Sequence, residues 1–212
     1  MYSTKSRPKT RRLQEPQRRN GKLRVAAIFK AAAAVFAEKG FEGATMAEIA
    51  ASSDTKIGSL YRFFPNKEIL ADALISNYYK KIEIEFDKIN AKIQSLSVSA
   101  LADALLFFMV ELRKDAGAIV KLMEAYKGWS VKREAFRASV LKQITKTLML
   151  RCPGLLPSSA QDIAVVILHN MKAMKALSVK GTKEGRPGAI SELRAMTRLY
   201  LKSRLKNHYS TK

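Results

Sequence analysis

The stretch from Thr45 to Lys67, TMAEIAASSDTKIGSLYRFFPNK, limits the fold more than any other part of the chain, because it holds two helix starts and a corner within a few turns. Thr45 followed three residues on by Glu48 forms a capping box, in which hydroxyl and carboxylate satisfy amides that a helix start leaves unpaired. Met46, Ile49 and Ala50 are then expected to face inward. Ala51, Ser52 and Ser53 are small enough for a second helix to approach closely, and Asp54 falls at the corner, where Asp tolerates unusual backbone angles. The second helix, Lys56 to Phe64, is anchored by Leu60 and Phe64 four apart, leaving Lys56, Ile57, Ser59 and Arg62 on other faces. Pro65 and Asn66 end it, and Lys67-Glu68 begins another helix. Two short helices joined in this way are a helix-turn-helix.

The charge balance fits a polyanionic partner. The 212 residues carry 39 Lys and Arg against 18 Asp and Glu, a formal charge of +21, which favours nucleic acid first and an anionic membrane second. Residues 1–66 hold 13 basic and 5 acidic side chains, and residues 67–212 hold 26 and 13. The second excess goes beyond what DNA contact needs; it is consistent with an anionic effector or with a basic solvated surface. A single cysteine, Cys152, rules out an intramolecular disulfide and suits a reducing cytoplasm. MYSTKSRPKTRR lacks the apolar stretch of a signal peptide, and no apolar run, 104–110 included, approaches the roughly 20 residues a spanning helix needs, so no membrane association is expected.

The rest of the chain has helical periodicity. Residues 1–22 read as a basic flexible arm, open either to phosphate or minor-groove contact or to a solubilising role. Val25, Ile28, Phe29, Ala32, Val35 and Phe36 mark a helix over 22–39, stopped by Gly40, with Phe41 plugging a three-helix domain. Leu70, Leu74, Tyr78, Ile82, Phe86, Ile89 and Ile93 extend one stripe from about Asn66, a helix long enough to join the first domain to a second core. From Ser95 to Arg151 the spacing stays helical, with breaks expected near Gly117, Gly128 and Pro153-Gly154, giving three helices. Ser158 or Ser159 is a candidate cap for the next helix, 160–180, whose apolar groups surround most of its circumference: Ile163, Val166, Ile167 and Met171 on one side, Val165, Leu168 and Ala176 on others. GTKEGRPG at 181–188 reads as a connector before a last helix with equally broad apolar coverage.

Together, IFKAAAAVFAEKGF and ATMAEIAASSDTKIGSLYRFFPNKE resemble the DNA-binding domain of the TetR (tetracycline repressor) family of bacterial transcription regulators, over about Val25 to Leu70. The matching positions are Ile28, Ala31, Ala32, Phe36 and Gly40, then Thr45, Ile49 and Ala50, then Gly58, Leu60, Tyr61, Phe64 and Lys67. Asp54 stands where the family usually has the turn glycine, and Lys56 adds a cation where many relatives have none. The resemblance implies an all-α chain of about nine helices: a helix-turn-helix domain over 23–66 and a helical regulatory and dimerisation domain over 67–212. It further implies a cytoplasmic homodimer on a palindromic operator, released by a small-molecule effector, the last two helices pairing with their twins. A DNA-binding architectural or constitutive regulator without an effector is the alternative.

The second helix of such a motif enters the major groove while phosphate contacts set its angle. Lys56, Ile57, Gly58 and Ser59 lie at its leading end: Ile57 suits a thymine methyl, Gly58 permits close approach, and Lys56 fits either guanine O6 and N7 or a phosphate. The resemblance adds Tyr61 and Lys67 as backbone contacts, with Arg62 a further one and Thr45 serving as a cap, a phosphate contact, or both. For the effector, Tyr78, Phe108, Met123, Tyr126, Trp129, His169, Met171 and Met174 are candidate lining residues, and the same side chains would equally fill a core. With two histidines, one cysteine and no acids paired at catalytic or metal-binding spacing, neither an enzyme nor a cofactor or metal is expected.

Overall fold

The computed structural model describes residues 19–125, 130–179 and 187–206, with side-chain surroundings described outside 113–131 and 206. Among the described residues it has eight α-helices and no strand, close to the nine or so helices expected. The chain divides into two compact units, one up to Ile75 and one from Ser76.

In the first unit, α1 runs Arg19–Gly43, broken internally at Gly40, whose φ of 72° glycine adopts without steric cost because it has no Cβ. Helical backbone begins at Arg19, so the last residues of the expected arm belong to α1, while 1–18 lie outside the described residues. Beyond the break Phe41 turns inward, its ring 5.7 Å from that of Phe36. α2 is Met46–Ser52 and α3 is Ile57–Phe63. Ile28, Ala32 and Phe36 of α1 meet a core that includes Ile49 of α2 and Leu60 of α3, all buried. At the corner Asp54 takes a positive φ of 48°, while Thr55 N donates to Ala50 O at 2.9 Å and closes the turn. Asp and Asn reach this region at lower cost than other side-chain-bearing residues, which is why Asp54 can stand there.

α4 spans Lys67–Ala91, its start belonging to the first unit and the remainder to the second. The Asn66 carboxamide caps it, accepting from Ile69 N at 2.8 Å. The second unit continues with α5 (Val98–Ala125), α6 (Ser130–Arg151), α7 (Pro157–Leu177) and α8 (Pro187–Lys206). α5 packs on α7 and α8, and α6 packs on α7. Gly117 does not break α5. One glycine costs only about 1 kcal/mol in a helix interior, too little to divide a helix of this length. The described residues of 95–151 therefore form two helices, and the break expected near Gly128 falls outside the described residues.

α7 is not capped by Ser158 or Ser159. It starts at Pro157 after Leu156, whose side chain makes no cap, because proline's fixed φ suits the first helical position and its missing N–H is no loss there. α8 likewise begins inside the expected connector, at Pro187. On α7 the buried face is Ile163, Ala164, Ile167, Leu168, Met171 and Met174, and Val166 sits outside it with Val165. Asp103 of α5 receives hydrogen bonds from both Arg194 and Arg198 of α8, tying the last helix to the unit. No helix among the described residues is long and apolar enough to cross a membrane.

Candidate nucleic-acid interface

The two sides of α3 differ sharply. Leu60, Phe63 and the following Phe64 are buried, and Phe64 meets the ring of Phe29 from α1 at 5.6 Å. Facing the other way, Ile57 is 43% exposed and Tyr61 47% exposed, and Lys56, Gly58 and Arg62 are exposed beside them. Ser59 is half-buried on the flank. Ile57 and Tyr61, one turn apart, thus share the exposed side of this short helix. A Cβ built on Gly58 would touch nothing within 4 Å, so the fold does not require glycine at that position. Lys56 occupies the N-cap position without a side-chain cap bond, and Arg62 lies over the Phe63 ring at 5.5 Å.

Thr45 completes the expected capping box. Its Oγ1 accepts from Glu48 N at 3.2 Å, its own N donates to Glu48 Oε2 at 3.0 Å, and its hydroxyl donates to the same oxygen at 2.9 Å. Lys39 of α1 donates to Glu48 Oε1 at 2.5 Å. The Lys39 bond, followed by those from Thr45, holds the Glu48 carboxyl below its ordinary range, and Lys39 is correspondingly pushed up, chiefly by the same bond. Spacing along the chain had paired Thr45 with Glu48 but gave no hint of Lys39, nine residues away.

Lys67 sits at the start of α4, with its ammonium turned toward the protein. Nζ donates to Glu42 O at 3.1 Å and Ala44 O at 3.0 Å and lies 4.7 Å over the Phe41 ring. An ammonium has three N–H groups, so two tie the α1–α2 connection to α4 and one is left over. This bracing role was invisible in the sequence, where Lys67 reads only as a cation at a helix start.

Of the effector candidates whose side chains are described, four are buried in the second unit and His169 is exposed. Tyr78 and Phe108 are buried in the second unit, Tyr78 stacked on Phe136 at 5.8 Å and Phe108 against Phe86 at 4.4 Å. Burial pushes the Tyr78 hydroxyl up to about 12. Met171 and Met174 are buried on the inner face of α7, whereas His169 lies exposed on the opposite side of that helix. Met123, Tyr126 and Trp129 lie outside the residues whose side chains are described. The sequence also missed Tyr79, whose ring stacks on Phe136 at 5.5 Å and whose hydroxyl donates to Lys132 O at 3.0 Å. Among the described residues no group of three or more His, Cys, Asp or Glu is placed to hold a metal ion.

A capped helix-turn-helix with an exposed leading helix, followed by an all-helical second unit, defines a DNA-binding transcription regulator. Residues 28–74 match the family model described as bacterial regulatory proteins, tetR family. Solved structures share the fold: Salmonella enterica GusR (20% identity, 87% of this chain and 96% of that one, TM-score 0.60) is one. A transcriptional regulator from Aquifex aeolicus matches at 20% identity, 85% and 98% coverage and TM-score 0.59. A TetR-family regulator from Streptomyces coelicolor matches at 22% identity, 86% and 99% coverage and TM-score 0.57. A search of curated protein sequences gave no match.

Proposed function

We propose that the chain is a cytoplasmic, non-catalytic repressor that reads a palindromic operator as a homodimer and is released from it by a small-molecule effector. The observation that carries this reading is the outward face of α3, where Ile57, Gly58 and Tyr61 are exposed together at the leading helix of a capped helix-turn-helix. Ile57 meets a thymine methyl, the bare Gly58 backbone lets the helix sit deep in the groove, and Lys56 donates to guanine or phosphate. Tyr61, Arg62 and the remaining N–H of Lys67 act on the phosphate backbone, and Thr45 contributes from the α2 start.

Residues 23–66 read DNA, and residues 67–212 dimerise and bind the effector. Two copies present two α3 helices, so half-sites should lie about one helical turn, roughly 34 Å, or a multiple of it apart. The exposed apolar groups Val165, Val166, Met196 and Leu199 of α7 and α8 support dimerisation through the last two helices, as the family resemblance implies. α4 belongs to both units, so an effector that prefers one placement of α4 shifts DNA affinity by its differential affinity for the two states.

The test is fluorescence anisotropy of the full chain on a duplex from upstream of its own gene, against a scrambled duplex, at near-physiological salt. Tight binding to the first alone is expected. Equal, salt-sensitive binding to both would replace this reading with that of an architectural protein whose affinity comes from the +21 charge.

A further inference from the structure

Asn90, near the end of α4, and Gln143 and Thr147, one turn apart on α6, form a polar layer inside the second unit. Thr147 is fully buried, and its hydroxyl lies 2.8 Å from Asn90 Oδ1 and 3.0 Å from Gln143 O. Beside it, Asn90 Nδ2 and Gln143 Oε1 are buried with no hydrogen-bond partner among the described residues. A buried amide group left unmet costs more than an ordinary hydrogen bond contributes, so a donor and an acceptor of this kind in one layer call for an explanation.

The walls of the layer are apolar. Phe86, one turn before Asn90, is buried with its ring 4.4 Å from that of Phe108 of α5, and Val140 and Ile144, neighbours of Gln143 along α6, are buried as well. At the surface Asp87 and Lys146, each more than half exposed, pair with each other at 3.5 Å, so their charges are turned to one another. Gln94 Nε2 donates to Leu150 O at 3.1 Å and closes the end of this seam.

From this layer, and resting on the effector reading above, we propose that Asn90 and Gln143 seat the effector, and that it is an uncharged molecule with a carbonyl next to an N–H, a carboxamide or lactam, on an apolar body. Asn90 Nδ2 donates to the carbonyl oxygen and Gln143 Oε1 accepts from the N–H, while the apolar part lies against Phe86 and Val140. A carboxylate supplies acceptors only and would set its charge against Gln143 Oε1. Arg151, one turn beyond Thr147, makes a carboxylate the alternative to be tested. A molecule in this seat touches α4 and α6 at once, and α4 is the helix that begins in the first unit, so the seat can bias the placement of α4.

Thermal unfolding of the full chain with straight-chain primary amides of about two to ten carbons, against carboxylates of the same lengths, tests the seat. At least one amide is expected to raise Tm by about 3 °C or more at roughly ten times its Kd, and the matching carboxylate to leave Tm unchanged. The same amide should weaken binding to the upstream duplex by about tenfold or more in anisotropy. Asn90→Leu and Gln143→Met should lose both responses. Because each removes an unmet group, and Thr147 keeps its bond to Gln143 O, their urea midpoints without amide should be no lower than that of wild type. Gln143→Met nearly preserves shape and decides the matter if Asn90→Leu does not fold. The seat is overturned if no amide raises Tm, if only carboxylates do, or if the response survives both substitutions. Lowered midpoints in both variants would show that the pair is already met inside the free protein and serves the fold, which overturns the seat as well. An amide that binds through Asn90 and Gln143 yet leaves operator affinity unchanged would keep the seat and overturn the effector-release reading.

Discussion

Asp103 and Arg194 meet across 91 residues of sequence in a two-point hydrogen bond, Nε to Oδ1 at 2.9 Å and Nη2 to Oδ2 at 2.7 Å. Arg198, one turn along α8, donates to the same two oxygens, Nε at 2.8 Å. The Arg194 bond is the largest cause, and Arg198 a further one, of an Asp103 carboxyl held well below the usual carboxylate range, while burial works against both. Planar guanidinium forks match a carboxylate edge for edge, so α8 is fixed in register as well as held in place.

Asp103→Ala is expected to cost about 2 kcal/mol of unfolding free energy near pH 7, below the figure for a fully buried pair because Arg194 is half exposed and screened. A carboxyl whose native value is lowered contributes stability above its unfolded value, near 4, and loses that contribution as pH falls through the native one. Urea unfolding of wild type and Asp103→Ala near pH 7 and near pH 3 should therefore show the gap narrowing in acid. A gap of constant size would mean that packing, not the charge, links Asp103 to α8.

Thr45→Ala removes the N-cap of α2 and is expected to lower stability by about 1 kcal/mol, while Thr45→Ser, which retains the hydroxyl, should recover most of it. Thermal unfolding measures both. If Thr45→Ser were no better than Thr45→Ala, the threonine methyl would be the stabilising part and the capping box incidental.

The first unit was largely legible because its signals are local. The Thr45–Glu48 box, the positive φ at Asp54, the break at Gly40 and the inward Met46, Ile49, Ala50, Leu60 and Phe64 all follow from residues within a few positions of one another. Gly117 misled because a glycine signals a break only where little else holds the helix, and α5 is long. Ser158 and Ser159 misled because Pro157 claims the first helical position before either can cap. The Lys67 tie to Glu42 and Ala44, the Lys39–Glu48 pair and the Tyr79–Lys132 bond join distant residues through ordinary side chains and backbone carbonyls, and no periodicity announces such contacts. Residue type alone marks the effector candidates and carries no information on facing, so His169 falls on the opposite face of α7 from Met171 and Met174.

Tyr78 gives an alkaline counterpart to Asp103. Burial pushes its hydroxyl up to about 12, so above pH 10 the unfolded chain releases a proton that the native one retains. Stability should fall between about pH 10 and pH 12, by up to about 3 kcal/mol from this group, and Tyr78→Phe should flatten the fall. Urea midpoints across that range measure the effect. An equally steep fall in Tyr78→Phe would place the cause in Tyr79, whose hydroxyl burial also pushes up, or in deprotonated lysines.

Ile57 and Tyr61 are one turn apart on the exposed side of α3, yet the proposed mode of DNA binding gives them different tasks. A base-edge contact is felt only on the sequence that carries its partner, whereas a phosphate contact is felt on every sequence. Ile57→Ala should therefore weaken the operator by roughly 1 kcal/mol or more, leave random DNA almost unchanged, and relax the preference at one half-site position. Tyr61→Ala should weaken both duplexes by a similar factor. Because tyrosine donates as a neutral group and displaces no counterion, the salt slope should stay where it was. Anisotropy titrations of each variant on operator and scrambled duplexes, repeated at several salt concentrations, separate the two roles. If Tyr61→Ala altered base preference while Ile57→Ala lowered both affinities alike, α3 would enter the groove rotated so that Tyr61, not Ile57, faces the bases.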